Sequence, residues 1–204
     1  MIYEICVGNY IEAIDGLKRG AHRIELCDNL KEDGTTPSYG TIKKVVEDVE
    51  IPVMVIIRPR GGNFTYSKEE IEIMKMDIDM VKKAGAHGIV IGAIKDGDID
   101  YDCIEDLMDI RGDLEVTFHM AFDELSDLEH MKNAIDRLFL LGINRILTKG
   151  GKGDALYNWN SLKKLVEYAE NRIIIMPGKG VNKSNRDYIL EKTGATEIHG
   201  TKVV

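Results

Sequence analysis

Five charged or titratable side chains of this chain lie within or just after short apolar runs, where a charge is costly unless it is paired or serves a ligand. They are Glu4, Glu25, Arg58, His119 and His199. Carboxyl groups held together have their pKa values pushed apart, and a neighbouring arginine keeps one ionised. Brought together by the fold, these groups would supply an acid and a base for catalysis. The alternative is a buried ion-pair layer of Glu4, Glu25 and Arg58 that only fixes packing.

Two cysteines, Cys6 and Cys27, lie in the same runs as the two glutamates. Soft thiolates select Cu(I) over harder ions, so the pair is a candidate metal site. It has neither a CxxC nor a His-x-His spacing, and two buried thiols acting as small hydrophobic groups are the alternative. The third cysteine, Cys103, falls within a predicted helix and is expected in the core.

Two glycine-rich stretches, at 149–152 and 178–180, are candidate anion sites. Their backbone N–H groups and added lysines resemble a phosphate-binding nest, although many such glycines merely turn the chain. Arg58 and Arg60 would grip a carboxylate or phosphate in such a site. The predicted anion-binding residues are Arg60, Thr148, Gly150, Gly151, Gly178 and Gly180.

The elements that must position these residues follow from a repeated phrase. Four segments open with glycine and carry isoleucine at the fifth position: Gly20-Ala-His-Arg-Ile24, Gly85-Ala-His-Gly-Ile89, Gly142-Ile-Asn-Arg-Ile146 and Gly194-Ala-Thr-Glu-Ile198. Each pattern is typical of a glycine that ends a helix and is followed by a strand. The segment between two phrases is long enough for one more strand and two helices. This spacing predicts four (βα)₂ units and eight parallel strands.

The predicted fold is therefore a single-domain (β/α)₈ TIM barrel over residues 1–204. The strands are predicted near 1–7, 21–27, 52–58, 86–92, 114–119, 143–148, 172–177 and 194–200. Capping boxes at Ser67-x-x-Glu70 and Ser126-x-x-Glu129 begin two helices, and five more are predicted at 9–19, 38–48, 100–109, 160–170 and 184–193. A chain of 204 residues is short for such a barrel, which takes about 250, so its loops must be lean.

Strand parity predicts which side chains point into the barrel. If the four phrase isoleucines face the helices, the alternate positions face inward. The inward set is Glu4, Cys6, Glu25, Cys27, Arg58, Thr117, His119, Glu197 and His199. All but Thr117 and Glu197 lie near the carboxyl ends of their strands, the face on which barrel enzymes build their sites.

Composition limits the partners. The net charge of -8 argues against nucleic acid, which needs a basic surface. No apolar run reaches the ~20 residues of a membrane span, and the few cysteines suit reduced thiols, so we expect a cytoplasmic protein. No helix is predicted after the eighth strand. We expect the apolar surface left on strands eight and one to be covered in a homo-oligomer, most simply a dimer.

Seven stretches of the chain together resemble the CutC family of copper homeostasis proteins. They lie at 23–27, 36–38, 57–62, 64–67, 117–123, 146–151 and 197–199. Met120, where the family usually has arginine, the 32–34 segment and Lys179 depart from the family pattern. The resemblance implies a TIM barrel, a cytoplasmic location and Cu(I) bound through cysteine. Asp123, which ends the fifth stretch, joins the candidate catalytic residues.

Two functions are thus expected from the sequence. In the first, Cys6 and Cys27 bind Cu(I) for copper handling. In the second, the protein is an enzyme on a small anionic substrate, in which Glu25 and His119 exchange protons. Paired arginines and carboxylates favour the enzyme, whereas the family resemblance favours copper, and a barrel fold alone decides neither.

Overall fold

Each glycine–isoleucine phrase lies at a helix-to-strand junction in the computed structural model, which describes residues 1–204. The four phrase glycines have φ between 73° and 90°, a left-handed conformation that costs glycine little. Gly85 and Gly194 are themselves helix C-caps, and Gly20 and Gly142 follow the C-cap residue. The repeat therefore has the structural meaning that was predicted for it.

Eight parallel strands form the barrel that the phrases predict. They are β1 (Ile2–Val7), β2 (Arg23–Leu26), β3 (Val53–Ile56), β4 (Gly88–Ile91), β5 (Glu115–Phe118), β6 (Arg145–Thr148), β7 (Ile174–Pro177) and β8 (Glu197–Gly200). The paired strands run in the order β8-β1-β2-β3-β4-β5-β6-β7, and the two end strands lie side by side. Beyond their carboxyl ends, Asn182 pairs with Lys202, so the barrel is nearly closed. The predicted TIM-barrel fold is confirmed.

Seven helices surround the strands, one in each connection. They are α1 (Tyr10–Lys18), α2 (Tyr39–Asp48), α3 (Lys68–Ala84), α4 (Tyr101–Ile110), α5 (Leu128–Leu140), α6 (Trp159–Ala169) and α7 (Arg186–Thr193). A two-stranded hairpin of Ile94–Lys95 and Asp98–Ile99 follows β4. The four residues after β8 are not helical. None of the helices has the length and apolar character needed to cross a membrane.

One of the two predicted capping boxes is correct. Ser67 accepts from the backbone N–H of Glu70, whose side chain accepts in return from the Ser67 N–H. The box at Ser126 is wrong, because Asp127 caps α5 and accepts from the backbone N–H of His130 at 2.9 Å. An aspartate directly before the helix takes the cap position that the serine pattern assigned one residue earlier.

The buried apolar residues form two clusters, one outside the barrel sheet and one inside it, as strand parity predicts. The phrase isoleucines are fully buried and belong to a large cluster of 49 residues packed between sheet and helices. A separate small cluster fills the barrel interior with Cys27, Met54, Ile56 and Val90, and Cys6 packs against it. Inward and outward positions therefore alternate along the strands as expected.

The chain end covers the surface that we expected to be open. On the outer side of β8 and β1, Ile198 and Ile5 are buried, and Val203 beyond β8 is buried as well. Arg186 of α7 donates to the Val203 carbonyl, which holds the final residues against the barrel. The expectation of an uncovered β8–β1 face is wrong, because these outward side chains are buried and the final residues contact Arg186 and Arg19. The homo-oligomer stays a prediction without that support.

Candidate functional site

A network of buried ion pairs lies beneath the mouth of the barrel. Glu4 on β1 pairs with Arg23 on β2, and Arg23 pairs with Glu197 on β8. Arg145 on β6 extends the network, with contacts of 3.2 Å to Glu197 and 2.7 Å to Glu115. Each arginine thus has two carboxylates, which offsets the cost of burying its charge. This layer has a structural role, and it contains the predicted Glu4, but Arg23, Arg145, Glu115 and Glu197 take part instead of Glu25 and Arg58.

Arg23 and Arg145 were missed in the sequence, although parity points to them. Each occupies the fourth position of a glycine–isoleucine phrase, directly before Ile24 or Ile146. A residue next to an outward-facing isoleucine on a strand must face inward. The rule that placed Glu25 inside therefore also places Arg23 there.

Above the ion-pair network, a cavity of about 570 Å³ opens at the carboxyl ends of the strands. Its volume lies within the range of small-ligand sites. Seven of the predicted site residues line it: Cys6, Glu25, Cys27, Arg58, His119, Gly180 and His199. Glu4 lies one layer deeper, where it contacts His199 from below.

The two thiols meet on one wall of the cavity. Cys6 lies opposite Glu25 in the β1–β2 pairing, and Cys27 directly follows β2. The Sγ atoms of Cys6 and Cys27 are 3.7 Å apart. With a carboxylate oxygen of Glu25, they form a group whose ligand atoms all lie within 4.8 Å of one another. Gly34 leaves room for the thiols, since a Cβ there would lie 3.3 Å from the Cys27 Sγ.

His199 links the thiol wall to the ion-pair network. Its Nδ1 lies 2.8 Å from Glu4 Oε1, and its Nε2 lies 3.6 Å from Glu25 Oε2. Burial disfavours the imidazolium, but the carboxyl groups of Glu25 and Glu4 and a hydrogen bond with Cys6 outweigh burial and raise the pKa of His199 well above its ordinary value. Burial likewise opposes the Glu4 carboxylate, yet Arg23 and His199 lower its pKa to about 2.

The pKa values of Cys6, Cys27 and Glu25 are shifted in different directions. The hydrogen bond from Cys27 lowers the pKa of Cys6 to about 5, against the effect of burial, and His199 adds to this shift. The same hydrogen bond, followed by burial, raises the pKa of Cys27. Burial and then the charge of Cys6 raise the pKa of Glu25 well above its usual range. Cys6 is therefore the member of the group that ionises most readily, as a thiolate facing the imidazolium.

His119, on the opposite wall, is held in one tautomer. Its Nδ1 accepts from the backbone N–H of Ala121 at 3.1 Å, so the proton of the neutral ring is on Nε2. Burial and then the positive charge of Arg58 lower the pKa of His119 to about 3. The Nε2 atom is buried and has no partner. The ring suits hydrogen-bond donation better than the proton exchange with Glu25 expected from the sequence.

Arg58 holds the loops around the cavity through neutral acceptors. Its guanidinium donates to the backbone carbonyls of Glu32, Gly34 and Gly62 at 2.5 to 2.8 Å. Phe64 lies beneath it, with the guanidinium carbon 5.1 Å from the ring centre. The Nε atom of Arg58 is buried and unpartnered, and no carboxylate pairs with the group.

Arg60 and Asp123 are among the predicted site residues that lie outside the cavity. The half-buried Arg60 turns towards α3 and pairs with Glu70 at 2.5 Å, so it does not join Arg58. The Asp123 carboxylate accepts from Thr148 Oγ1 at 2.7 Å and from the N–H groups of Lys149 and Gly151. Asp123 is thus an internal anion that already fills part of the predicted nest.

The remaining glycines of the predicted anion site serve packing. Gly150 donates its N–H to Thr148 Oγ1 at 2.9 Å, and Gly178 donates its own to the Thr148 carbonyl. A Cβ on Gly178 would lie 2.5 Å from Leu147, and one on Gly180 would lie 2.9 Å from Asp154. Of these loop glycines, Gly180 alone lines the cavity.

These features define a TIM-barrel protein with a candidate ligand site at the carboxyl ends of its strands. The chain belongs to the CutC family, whose model matches residues 1–204. It is 44% identical over 210 residues to a CutC protein of Enterococcus faecalis, with full coverage of both chains. It is 47% identical to the copper homeostasis protein cutC homolog of Homo sapiens over 97% of this chain and 72% of that protein.

Solved structures agree with this assignment. A crystal structure of a CutC protein from Streptococcus agalactiae superposes with a TM-score of 0.95 at 40% identity, covering 100% of both chains. An aldolase superposes with a TM-score of 0.74 at 12% identity, covering 100% of this chain and 90% of the other. The second likeness shows the shared barrel fold and nothing about activity.

Proposed function

We propose that this protein binds Cu(I) through Cys6 and Cys27 and serves in copper handling. The observation that carries the proposal is the 3.7 Å separation of the two Sγ atoms. A metal–thiolate bond of about 2.3 Å allows one ion to bridge two sulfurs up to ~4.6 Å apart. The two thiols could therefore share an ion without movement of the backbone.

The donor set favours Cu(I) over other ions. Two thiolates are soft ligands of the kind that select Cu(I), whereas the nearby Glu25 carboxylate is a harder oxygen ligand. A structural zinc site would need four ligands, and this group offers three. His199 lies next to Glu25, and its positive charge there would offset the negative charge of a dithiolate.

Two further observations support the proposal. Relatives from Homo sapiens and Mus musculus carry the description of copper homeostasis protein cutC homologs. The chain has only three cysteines, an odd and small number that suits reduced thiols better than a disulfide framework. We accordingly place the copper-handling role in the cytoplasm.

Competition with a Cu(I) chelator under anaerobic conditions tests this function. The wild-type protein should withdraw one equivalent of Cu(I), and the Cys6→Ser and Cys27→Ser variants should each lose that ability, because a hydroxyl oxygen is a poor ligand for a soft ion. Cys103→Ser is the matched control, since Cys103 is a buried thiol on α4 outside the cavity. Equal competition by wild type and the two site variants would refute the proposal.

A further inference from the structure

The cavity wall contains a buried cation without a counterion. Three arginines of the chain are at least 95% buried, namely Arg23, Arg58 and Arg145. Arg23 and Arg145 each pair with two carboxylates. Arg58, only 2% exposed, donates only to backbone carbonyls, and its Nε–H has no hydrogen-bond partner. A buried charge that lacks an opposite charge is costly, so this position is suited to an anion from outside.

The second unpartnered donor in the cavity is the Nε2–H of His119. Because the Ala121 N–H occupies Nδ1, the neutral ring can offer only a donor at Nε2. His119 is 5% exposed, and its ring lies 4.8 Å from that of Phe64, which also lies beneath Arg58. Two buried donors thus lie around one aromatic ring, and both require an acceptor.

We propose that the mouth cavity binds a small organic molecule through a carboxylate or phosphate group whose oxygens accept from Arg58 Nε–H and His119 Nε2–H. The Phe64 ring forms the apolar wall beside this group. This anion site goes beyond Cu(I) handling, because it uses neither thiol. Its existence does not depend on whether the protein binds copper. It is the part of the cavity that the metal ligands leave unused.

The rest of the cavity fits such a ligand. The lining holds three lysines and one arginine against three carboxyl groups. Lys179 is paired with Asp33 at 3.6 Å, whereas Lys149 and Lys202 have no carboxylate partner. A volume of about 570 Å³ accommodates a metabolite-sized molecule and excludes a macromolecule.

Variants of His119 can separate its two nitrogens. In His119→Asn, the amide oxygen can replace Nδ1 as acceptor for Ala121, but nothing replaces the Nε2 donor. In His119→Gln, the longer side chain can place an N–H near the Nε2 position. His87→Asn is the matched control, because His87 also accepts a backbone N–H at Nδ1, from Val53 at 3.2 Å, but at the opposite end of the barrel. Arg58 is left unchanged because it holds three loop carbonyls.

The experiment titrates metal-free protein with inorganic phosphate, malonate and neutral malonamide, followed by ¹⁵N histidine side-chain NMR. We expect phosphate or malonate, but not malonamide, to shift the His119 Nε2–H signal with a Kd of about 1 mM or tighter. His119→Asn should weaken binding by roughly 10-fold or more, because a hydrogen bond to a charged group is lost, and His119→Gln should restore part of it. His87→Asn should bind as wild type.

Phosphate binding alone would assign a phosphate-bearing ligand, and malonate binding alone a carboxylate. The absence of binding by both anions would overturn the proposal. So would equal affinities of wild type and His119→Asn, or equal binding of malonamide. Since no thiol takes part, these outcomes are read independently of the Cu(I) titration.

Discussion

His199 Nδ1 lies 2.8 Å from Glu4 Oε1, and this contact joins the buried ion-pair network to the thiol wall of the cavity. The other oxygen of Glu4 pairs with Arg23, and the other nitrogen of His199 faces Glu25. A carboxylate that stabilises the barrel therefore also holds positive charge beside the candidate metal ligands. The Glu4–His199 contact therefore belongs both to the ion-pair network and to the surroundings of the candidate metal ligands.

Replacement of Glu4 by glutamine should strongly destabilise the fold. The variant keeps the size of the side chain but leaves Arg23 without one of its two carboxylates and leaves His199 without the negative charge of its nearest carboxylate. Loss of one partner from a buried ion pair costs about 3–5 kcal/mol. Urea denaturation of both proteins measures the change in the free energy of unfolding.

The control for this variant is Asp15→Asn. Asp15 pairs with Arg19 at 3.0 Å on the surface of α1, where water screens the charges. Its replacement should leave the denaturation midpoint nearly unchanged. Equal losses in the two variants would show that the buried network is no more important than a surface pair.

Acidification should destabilise the protein partly through His119. Its folded-state pKa of about 3, lowered by burial and then by Arg58, lies below the ordinary value of 6.5. Between these values the unfolded chain binds a proton that the folded protein does not, so the free energy of unfolding falls as the pH falls from about 6.5. Above that range the contribution is fully present.

The His119→Asn variant isolates this contribution. It has no titrating ring, so the stability difference between wild type and variant should shrink, or change sign, between pH 7 and pH 4. Urea denaturation of both proteins across this range measures the difference. Stability curves that stay parallel would show that His119 titrates normally in the folded protein.

The architecture could be predicted from the sequence because it depends on local rules. A glycine at the end of four helices and an isoleucine four residues later are visible in the chain, and they specify both the junctions and the outward face of four strands. Parity then placed Cys6, Glu25 and His199 inside. The position of the mouth follows from the parallel strands.

The partners of each charged side chain could not be predicted in the same way. Arg58 and Arg60 are two residues apart, yet one faces the cavity and the other turns to Glu70 on α3. The conformation of the loop after β3 separates the two side chains. A loop has no regular repeat like that of a strand or helix from which side-chain directions could be predicted. Asp123 likewise fills a glycine loop from 25 or more residues away, a contact that depends on the tertiary fold.

Gly88→Ala should disrupt the pairing of β4 with β5. A Cβ at Gly88 would lie 2.4 Å from the Glu115 carbonyl oxygen and 2.3 Å from Met54 Cε, and the backbone cannot yield there without loss of the strand pair. Overpacking of this kind costs about 1–3 kcal/mol or more. Thermal denaturation should show a clear fall in Tm.

Gly40→Ala is the opposite case and serves as the control. Gly40 lies within α2, and nothing stands within 4 Å of a Cβ built there. Alanine should stabilise this helix by up to about 1 kcal/mol. A neutral Gly88→Ala variant, or a damaging Gly40→Ala variant, would contradict the packing described for the barrel.

Asp123→Ala should loosen the loop after β6. The substitution removes the acceptor for the backbone N–H groups of Lys149 and Gly151. Hydrogen exchange at these two amides should accelerate relative to wild type. Asp154→Ala, which removes the acceptor for Tyr157 N–H in the same connection, should accelerate exchange at Tyr157 and leave Gly151 unchanged. Unchanged exchange at Gly151 in Asp123→Ala would show that Asp123 does not hold the loop.

X-ray absorption at the copper K-edge of the Cu(I)-loaded protein tests the central claim most directly, because it counts the sulfur atoms bound to the metal. The 3.7 Å contact between Cys6 Sγ and Cys27 Sγ predicts two sulfur neighbours in wild type and in the Cys103→Ser control. The Cys6→Ser, Cys27→Ser double variant should show none. A wild-type spectrum with only nitrogen and oxygen neighbours, or two sulfurs that persist in the double variant, would contradict the account.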